Sequence, residues 1–471
     1  MKKRLIAGFL LLVLAVGGLG AAHARLTKSF QQPEVTETVL WGDPARAEGL
    51  TLKLHAVMDR HLYWDTTLRP GQKPEYEAWY EAKRDYPVGE PRYEMWMQTS
   101  HNFSGGFFDA RTDPFLRSVR KPLLEILEDM EPGEQRTETI RYRDYYDYFP
   151  LDVMVNFPSY QADWDQLDRH VAEGDKFEKS QLKFLEDMSL AFRFPVPEDY
   201  RLELTVLRDE RDEYSVSVEC NAVKGGLGFE CMTVANDSTI YFMPLVTERD
   251  GETLADYSHT PGYGIYALPN KEGRKDQRLT IDELQLAYPL PEDQILLGMK
   301  LDYEKKNLLL LTDEKGAKTL RVVDLDTMTE KQAVPLPENE SDYLYLTVEE
   351  DFLVCSGKAM HVYSLDENGR YHYELTAKYP ADLPELEGKL DVEYWGDDIF
   401  DFDGEQLARA IYAARSEPWY REDCGAYLMA YDKDGLTCAI HYDSSLSRSG
   451  NMGNNMDCRH DDYNPMTVSW D

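Results

Sequence analysis

The sequence has few cysteines and lacks the short motifs that carry most enzyme chemistry. Its six cysteines all lie after position 219, which is too few for a disulfide-stabilised scaffold in a chain of 471 residues. Neither they nor the ten histidines show the spacing of zinc ligands. The sequence also has no G-x-S-x-G, no H-E-x-x-H and no phosphate-binding glycine loop. It therefore predicts no catalytic residue, no cofactor and no metal site, and it favours a non-enzyme while leaving an enzyme open as the alternative.

Positive charge is scarce as well. The chain carries 51 Lys and Arg against 87 Asp and Glu, a formal net charge of −36. A field of that sign repels phosphate backbones and anionic lipid headgroups, so the sequence predicts no nucleic-acid partner. Two interpretations of the acidity stay open: solubility in an exposed setting, and attraction of cations or of a basic partner.

The only long apolar run lies at the N-terminus. Basic residues 2–4 precede 18 uncharged residues from Leu5 to Ala22, and Ala22-His23-Ala24 follows the A-x-A cleavage pattern. Residues 1–24 are predicted to be a signal peptide, with a mature N-terminus at Arg25. A retained membrane anchor at residues 5–22 is the alternative, because 18 residues reach the lower limit of a membrane span. Either outcome predicts an extracytoplasmic protein, secreted or in the cell envelope, that touches a membrane only through this segment.

An apolar-Pro-apolar step recurs along the chain at intervals of 45 to 49 residues. Between these prolines, from Pro289 to about Leu446, each interval contains four short strand-like segments joined by turns such as "DEKG", "DENG" and "DKDG". Four strands in about 45 residues are typical of one β-propeller blade. The proline is predicted to end the outermost strand of its blade, where a missing N–H costs little. The six prolines are Pro150, Pro195, Pro244, Pro289, Pro335 and Pro380.

This strand pattern, with hairpins such as "VYSLDENGR" (362–370), resembles the β-propeller fold. The signatures of WD40, sialidase and kelch repeats are absent, so the resemblance implies a fold and no site residues. The chain also resembles exported proteins of Gram-positive bacteria, a likeness that implies no activity. We therefore predict an all-β chain with a single β-propeller domain over 25–471, with seven four-stranded blades and six or eight as alternatives.

Two helical insertions interrupt the predicted blades. Helical spacing of Leu116, Val119, Leu123, Leu127 and Met130 predicts the first near 114–131, with Pro122 as a point where it divides. The second is predicted near 161–188. The tail, 446–471, is irregular, although "MTVSW" near its end is a candidate strand that pairs with N-terminal residues.

The candidate ligand-binding residues are Tyr145, Tyr146, Asp147 and Tyr148 in "RYRDYYDYFP" (141–150). Tyrosine rings stack on sugar faces or anchor protein partners, and carboxylates accept hydrogen bonds. The alternative is a strand whose aromatic rings pack between blades. A further segment, "DDIFDFDG" (397–404), is interpreted as a strand followed by an Asp-Gly turn rather than as a calcium loop.

A disulfide between Cys220 and Cys231 is also predicted. The two residues lie opposite each other if the chain forms a hairpin about Gly225-Gly226, and export makes oxidation possible. Two half-buried free thiols are the alternative.

The sequence thus favours a non-catalytic binding or scaffold module that presents propeller loops to a protein or glycan partner. The alternative is a propeller-type glycosidase or lyase with carboxylates at the central funnel. The predicted innermost strands, such as "QILLGMKLD" and "DYLYLTVEE", are mostly apolar, which disfavours the enzyme. The oligomeric state stays open.

Overall fold

A computed structural model describes most of the chain, and its regular structure is mainly β-strand. The part of the chain that it describes contains two α-helices, α1 (Arg120–Glu128) and α2 (Lys176–Ala191), and a helical stretch at 15–21. The described residues are 15–21, 34–58, 62–80, 93–99, 107–108, 116, 118–157, 160–162, 176–208, 214–219, 227–248, 255–271, 279–337, 344–390, 394–414, 424–444 and 466–470.

The strands are numbered along the chain. The first nine are β1 (Val35–Gly42), β2 (Leu50–Met58), β3 (Leu62–Leu68), β4 (Glu75–Tyr80), β5 (Glu94–Gln98), β6 (Phe107–Phe108), β7 (Gln135–Arg141), β8 (Asp152–Phe157) and β9 (Tyr160–Ala162). The next ten are β10 (Arg201–Arg208), β11 (Tyr214–Glu219), β12 (Leu227–Ala235), β13 (Thr239–Glu248), β14 (Gly264–Pro269), β15 (Gln285–Pro289), β16 (Gln294–Leu301), β17 (Asn307–Glu314), β18 (Ala317–Asp324) and β19 (Thr329–Pro335). The last nine are β20 (Tyr345–Val348), β21 (Phe352–Ser356), β22 (Ala359–Leu365), β23 (Tyr371–Lys378), β24 (Tyr394–Phe402), β25 (Leu407–Ala414), β26 (Cys424–Asp432), β27 (Gly435–Ser444) and β28 (Met466–Trp470).

The chain forms two compact units. Unit 1 comprises residues 1–90, 339–341 and 351–471, and unit 2 comprises 91–338 and 342–350. All-β architecture is confirmed in both, and meanders of four antiparallel strands are the arrangement of a propeller blade. The number of blades and the single-domain organisation stay predictions.

In unit 1, strands from the N-terminal part of the chain pair with strands from its C-terminal part at two places. Strand β1 pairs with β27 at the edge of the sheet β1-β27-β26-β25-β24, and β28 pairs with β2 in the sheet β28-β2-β3-β4. The prediction that "MTVSW" pairs with N-terminal residues is therefore confirmed. Strands β21, β22 and β23 form a further antiparallel ladder. Buried apolar side chains fill one core between this ladder and β24–β27, and a second core against β2 and β28.

Unit 2 contains the sheets β5-β8-β9, β6-β11-β10-β7, β12-β13-β14-β15 and β16-β17-β18-β19, together with β20. The first strands β5, β12, β16 and β20 are neighbours in that order. In unit 1 the first strands β24 and β28 are neighbours in the same way. Adjacent first strands are what blades arranged side by side produce.

The predicted strands between Pro289 and Leu446 are confirmed: all twelve, β16 to β27, are present. Their turns use the predicted aspartates. The Oδ1 atom of Asp313 accepts a hydrogen bond from the Gly316 N–H at 2.6 Å, and that of Asp432 accepts one from Asp434 N–H at 2.8 Å. In each turn the aspartate side chain accepts a hydrogen bond from a backbone N–H two or three residues later, in place of a backbone carbonyl. Part of the acidity of the chain is therefore explained by turn formation.

The recurring prolines lie at or just after the end of an outermost strand, as predicted, only in the second half of the chain. Pro289 and Pro335 end the edge strands β15 and β19, and Pro380 begins a 3₁₀ turn just after β23. The prediction that Pro244 ends an outermost strand is wrong, because Pro244 lies inside β13, which pairs with β12 and β14. Pairing between β13 and β14 has ended before Pro244, and on that side the Pro244 carbonyl accepts a hydrogen bond from the Tyr257 hydroxyl at 3.1 Å. The N–H and C=O of one strand residue point to the same side. The N–H that proline lacks would therefore have no strand partner, and no hydrogen bond between strands is lost.

The helical insertions are shorter than predicted or displaced. Helix α1 begins at Arg120, so Pro122 lies in its first turn, where a proline costs no intrahelical bond and does not divide the helix. Four of the five apolar positions predicted for it are buried, and Leu127 is partly buried. In the second region, Tyr160–Ala162 forms β9 against β8, residues 163–175 lie outside the described chain, and α2 extends to Ala191.

The predicted hairpin on which the disulfide prediction depends is wrong. Strand β11 pairs with β10 and β6, whereas β12 pairs with β13 in another sheet. The segment between β11 and β12 therefore connects two sheets instead of closing a two-stranded turn. Burial raises the pKa of the Cys231 thiol to about 12, and Cys220 lies outside the described residues. The disulfide itself stays a prediction.

The N-terminal targeting segment lies mostly outside the described residues. In the part of the chain that the structure describes, no helix is both long and apolar enough to span a bilayer. Cleavage before Arg25 and export stay predictions.

Candidate functional site

The tyrosine-rich segment near residue 145 is held by contacts within unit 2. A 3₁₀ turn, Tyr142–Asp144, follows β7 and buries the Tyr142 ring, whose hydroxyl donates to the Ser118 carbonyl at 2.7 Å. The Tyr146 ring lies 5.0 Å from that of Tyr142, and Lys121 Nζ lies 4.6 Å from the Tyr146 centroid. These rings are packed against the start of α1.

The remaining predicted ligand residues differ in exposure. Burial and a hydrogen bond with Glu125 raise the pKa of Tyr145 to about 12. The Tyr148 ring meets His259 edge-to-face at 5.3 Å and lies under the Arg193 guanidinium. Asp147 is exposed. The described contacts are those of the packing alternative, and a ligand-binding role for Tyr145, Tyr146, Asp147 and Tyr148 stays a prediction.

A different surface of unit 2 presents an aromatic ring to solvent. In β5 the sequence Glu94-Met95-Trp96-Met97-Gln98 alternates, as a strand with one buried face does. Met95 and Met97 point into the core of unit 2, so Trp96 points outward, with 40% of its surface exposed. An exposed large aromatic residue on a regular strand is a candidate binding position.

Pairing with β8 places polar residues on both sides of this ring along the strands. Trp96 pairs with Met154, the preceding outward pair is Glu94 with Asn156, and the following one is Gln98 with Asp152. We call these six residues the Trp96 face. One amide and one carboxylate therefore flank the tryptophan on each side, about 6–7 Å away along the strand. Asn156 Nδ2 donates to Glu94 Oε2 at 3.1 Å, which orients both side chains.

Sequence reasoning missed this face because it searched for dense aromatic clusters. The available signal was the alternation in "YEMWMQ" (93–98), where tryptophan occupies a polar-phase position between two buried methionines. The Asn156 amide and the Asp152 carboxylate on β8 carry no such signal. They reach Trp96 only through the register of two strands separated by more than 50 residues.

Unit 1 contains a buried ion pair that the sequence did not predict. Arg409 on β25 contacts Asp398 on β24 through Nε and Nη2, at 2.7 Å and 2.6 Å from Oδ1. The guanidinium also lies 5.1 Å from the Tyr379 ring centroid. Asp398 belongs to "DDIFDFDG", and the interpretation of that segment is confirmed: β24 ends at Phe402, and Asp403 accepts hydrogen bonds from Glu405 and Gln406 in the following turn. Among the described residues, no group of three or more His, Cys, Asp or Glu could hold a metal ion.

His361 on β22 is a second buried polar group in unit 1. Its Nδ1 lies 2.8 Å from Thr376 Oγ1, and its Nε2 has no hydrogen-bond partner in the described chain. Burial lowers the pKa of His361 below the usual 6.5. The imidazole is therefore held neutral in a setting where its protonation costs free energy.

Acidification is expected to destabilise unit 1 through His361. The unfolded chain binds a proton at His361 near pH 6.5, and the folded chain binds it only at lower pH, so stability is full above pH 6.5 and falls below it. The loss saturates at about 1.4 kcal/mol per unit by which the pKa is lowered. Urea unfolding of the wild type and of His361→Gln at a series of pH values measures it. The variant should show a flatter slope below pH 6.5, and equal slopes would contradict the assignment.

Comparisons with known proteins leave the family open. No protein-family model matches the chain, and no curated protein matches it. Solved structures give weak likenesses. They include the Swd1 β-propeller domain of Myceliophteria thermophila, with 11% identity, TM-score 0.22 and coverage of 66% of this chain and 97% of that one. A gluconolactonase from Xanthomonas campestris matches at 12% identity and TM-score 0.24, with coverage of 52% and 82%.

An oligogalacturonate lyase in complex with manganese is also similar, at 12% identity and TM-score 0.23, with coverage of 52% of this chain. The chain spans about half, 55%, of the length of that lyase, and the same share of a chain of the mitotic checkpoint complex. Likenesses at these TM-scores carry no argument about the function of this chain.

Proposed function

We propose that the protein is an extracytoplasmic, non-catalytic binding module that holds a glycan on the Trp96 face. The exposed indole of Trp96 between two amide–carboxylate pairs carries this proposal. The C–H face of a sugar ring stacks on an aromatic ring, and its hydroxyl groups both donate and accept hydrogen bonds at the rim. Amide N–H groups and carboxylate oxygens supply the matching partners.

The register of β5 and β8 favours binding over hydrolysis. A glycosidase needs two carboxyl groups within about 5–9.5 Å of each other. Glu94 and Asp152, the two carboxylates of the face, are separated by four residues along the strands and one strand spacing. That offset places their Cα atoms about 14 Å apart. A glycosidase or lyase therefore stays the second candidate, and the location outside the cytoplasm rests on the pattern of residues 1–24.

Loss of the Trp96 ring is expected to abolish most glycan binding. Trp96→Ala should raise Kd for a bound oligosaccharide at least about tenfold, because it removes the stacking surface. A glycan array identifies the ligand, and calorimetric titration of the mature chain measures the affinity. Trp41→Ala is the matched control, because Trp41 on β1 is also 40% exposed and lies in unit 1.

Two outcomes would contradict the proposal. Folded Trp96→Ala protein that binds as tightly as the wild type would exclude the Trp96 face as the site. Loss of binding in Trp41→Ala, with normal binding in Trp96→Ala, would place the glycan in unit 1.

A further inference from the structure

The charges of the Trp96 face restrict which glycans fit it. Glu94 and Asp152 are its only ionisable residues, so both charges next to the ring are negative. Asp152 is only 7% exposed, so solvent and salt screen its charge less than that of a surface carboxylate. The whole chain adds a net charge of −36. Anionic sugars such as uronates are therefore repelled at long range and meet no basic side chain of the face.

Trp41 is an indole in this protein that has a cation over its ring. The Nζ atom of Lys389 lies 5.2 Å from the centroid of the Trp41 ring and donates a hydrogen bond to the Leu40 carbonyl at 2.9 Å. An ammonium group over an indole, with an oxygen acceptor beside it, is a favourable cation–π arrangement. The chain itself supplies the cation at Trp41.

Trp96 is likewise an exposed indole with an oxygen acceptor on the same face, and the part of the chain that the structure describes places no cation over it. Glu94 is that oxygen acceptor, two residues away on the strand. Its hydrogen bond from Asn156 keeps the Glu94 carboxylate in place. A ligand ammonium placed over Trp96 would gain the cation–π contact and a charge-assisted hydrogen bond together.

We propose, on the basis of the glycan-binding function above, that the Trp96 face selects amino sugars with free ammonium groups. The ammonium lies over the indole of Trp96 and against the carboxylate of Glu94. Gln98, which is exposed on the other side of Trp96, lies beside the next sugar ring. Acetylation of the amino group removes the positive charge and with it the selective contact.

The test compares four probes of equal length on the mature chain by calorimetric titration. They are a glucosamine oligomer, its fully N-acetylated form, an oligogalacturonate and oligolysine. We expect the glucosamine oligomer to bind at least about tenfold more tightly than the acetylated form and to weaken as salt is added. We expect no binding of the oligogalacturonate.

Two variants distinguish an effect of the Glu94 carboxylate on binding from an effect of the net charge of the protein. Glu94→Gln should weaken glucosamine-oligomer binding about fivefold or more and change binding of the acetylated form less than about twofold. Glu138→Gln on β7 removes the same charge away from the face, where its partner is Arg136 at 3.8 Å, and should leave both affinities unchanged.

The outcomes distinguish the ligand class from the binding function. If both glucosamine forms bind equally and depend on Trp96, glycan binding holds and the amino-sugar selectivity is overturned. Tighter binding of the oligogalacturonate also overturns the selectivity. If no glycan binds, the proposed function itself fails. If oligolysine binds as tightly as the glucosamine oligomer and depends on Trp96, the face recognises basic peptides, and the glycan assignment is overturned.

Discussion

Replacement of Arg409 by Met is expected to lower the free energy of unfolding of unit 1 by roughly 3–5 kcal/mol, the cost of breaking a buried ion pair. The Arg409 side chain is 3% exposed, and that of its partner Asp398 is 21% exposed. Methionine fills part of the space but leaves the Asp398 charge without its guanidinium in the core between β21–β23 and β24–β27. Because Asp398 is partly solvated, we expect a value near the lower end of the range.

Two further variants identify the charge as the cause. The double variant Arg409→Met/Asp398→Leu should recover much of the lost stability, since replacing both partners of a buried pair by apolar groups is often close to neutral. Arg46→Met is the matched control, because Arg46 bonds Asp432 at 2.8 Å in the same unit but is 56% exposed. It should cost about 0–1 kcal/mol. Urea unfolding measures all three, and equal losses for Arg409→Met and Arg46→Met would show that burial contributes nothing.

Removal of β28 is expected to have an effect of similar or larger size. A chain that ends at Pro465 loses the buried side chains of Met466 and Val468, which pack in one core with Leu50 and Leu52 of β2. At about 1.5–3 kcal/mol for each buried apolar side chain, their loss costs roughly 3–6 kcal/mol. The truncation also exposes the backbone of β2 and removes the bond from Trp470 N–H to Asp401 Oδ2, which is 2.6 Å long.

Hydrogen exchange of the β2 amides and urea unfolding measure this loss. The control is Thr467→Ala/Ser469→Ala, because these alternate residues of β28 point away from the core. It should change stability by less than about 0.5 kcal/mol. Slow exchange of β2 in the truncated chain would show that β28 is not an integral part of unit 1.

The regular half of the chain could be predicted because its signals are local. Strand-forming runs alternate with Asp-x-x-Gly turns, and each turn is completed by hydrogen bonds within three residues of its aspartate. The first half could be predicted only in part. Pro122 and Pro244 were interpreted by their usual effects, but the first turn of α1 and the part of β13 beyond its pairing with β14 accept them at no cost.

The candidate site could not be predicted in full for a related reason. The position of Trp96 in an alternating strand is local information, whereas the partners Asn156 and Asp152 arrive through strand pairing. The aromatic density of "RYRDYYDYFP" pointed elsewhere, and contacts with Ser118, Lys121 and His259, all remote in sequence, account for those rings by packing.

By itself the sequence determined the strands, their turns and the acidic character of the surface, because propensity, alternation and charge act over a few residues. Only the tertiary structure decided which strands meet. It placed β1 beside β27, separated β11 from β12, and set Arg409 against Asp398. Pairing partners are chosen by the total burial that a whole sheet achieves, and a single segment does not contain that information.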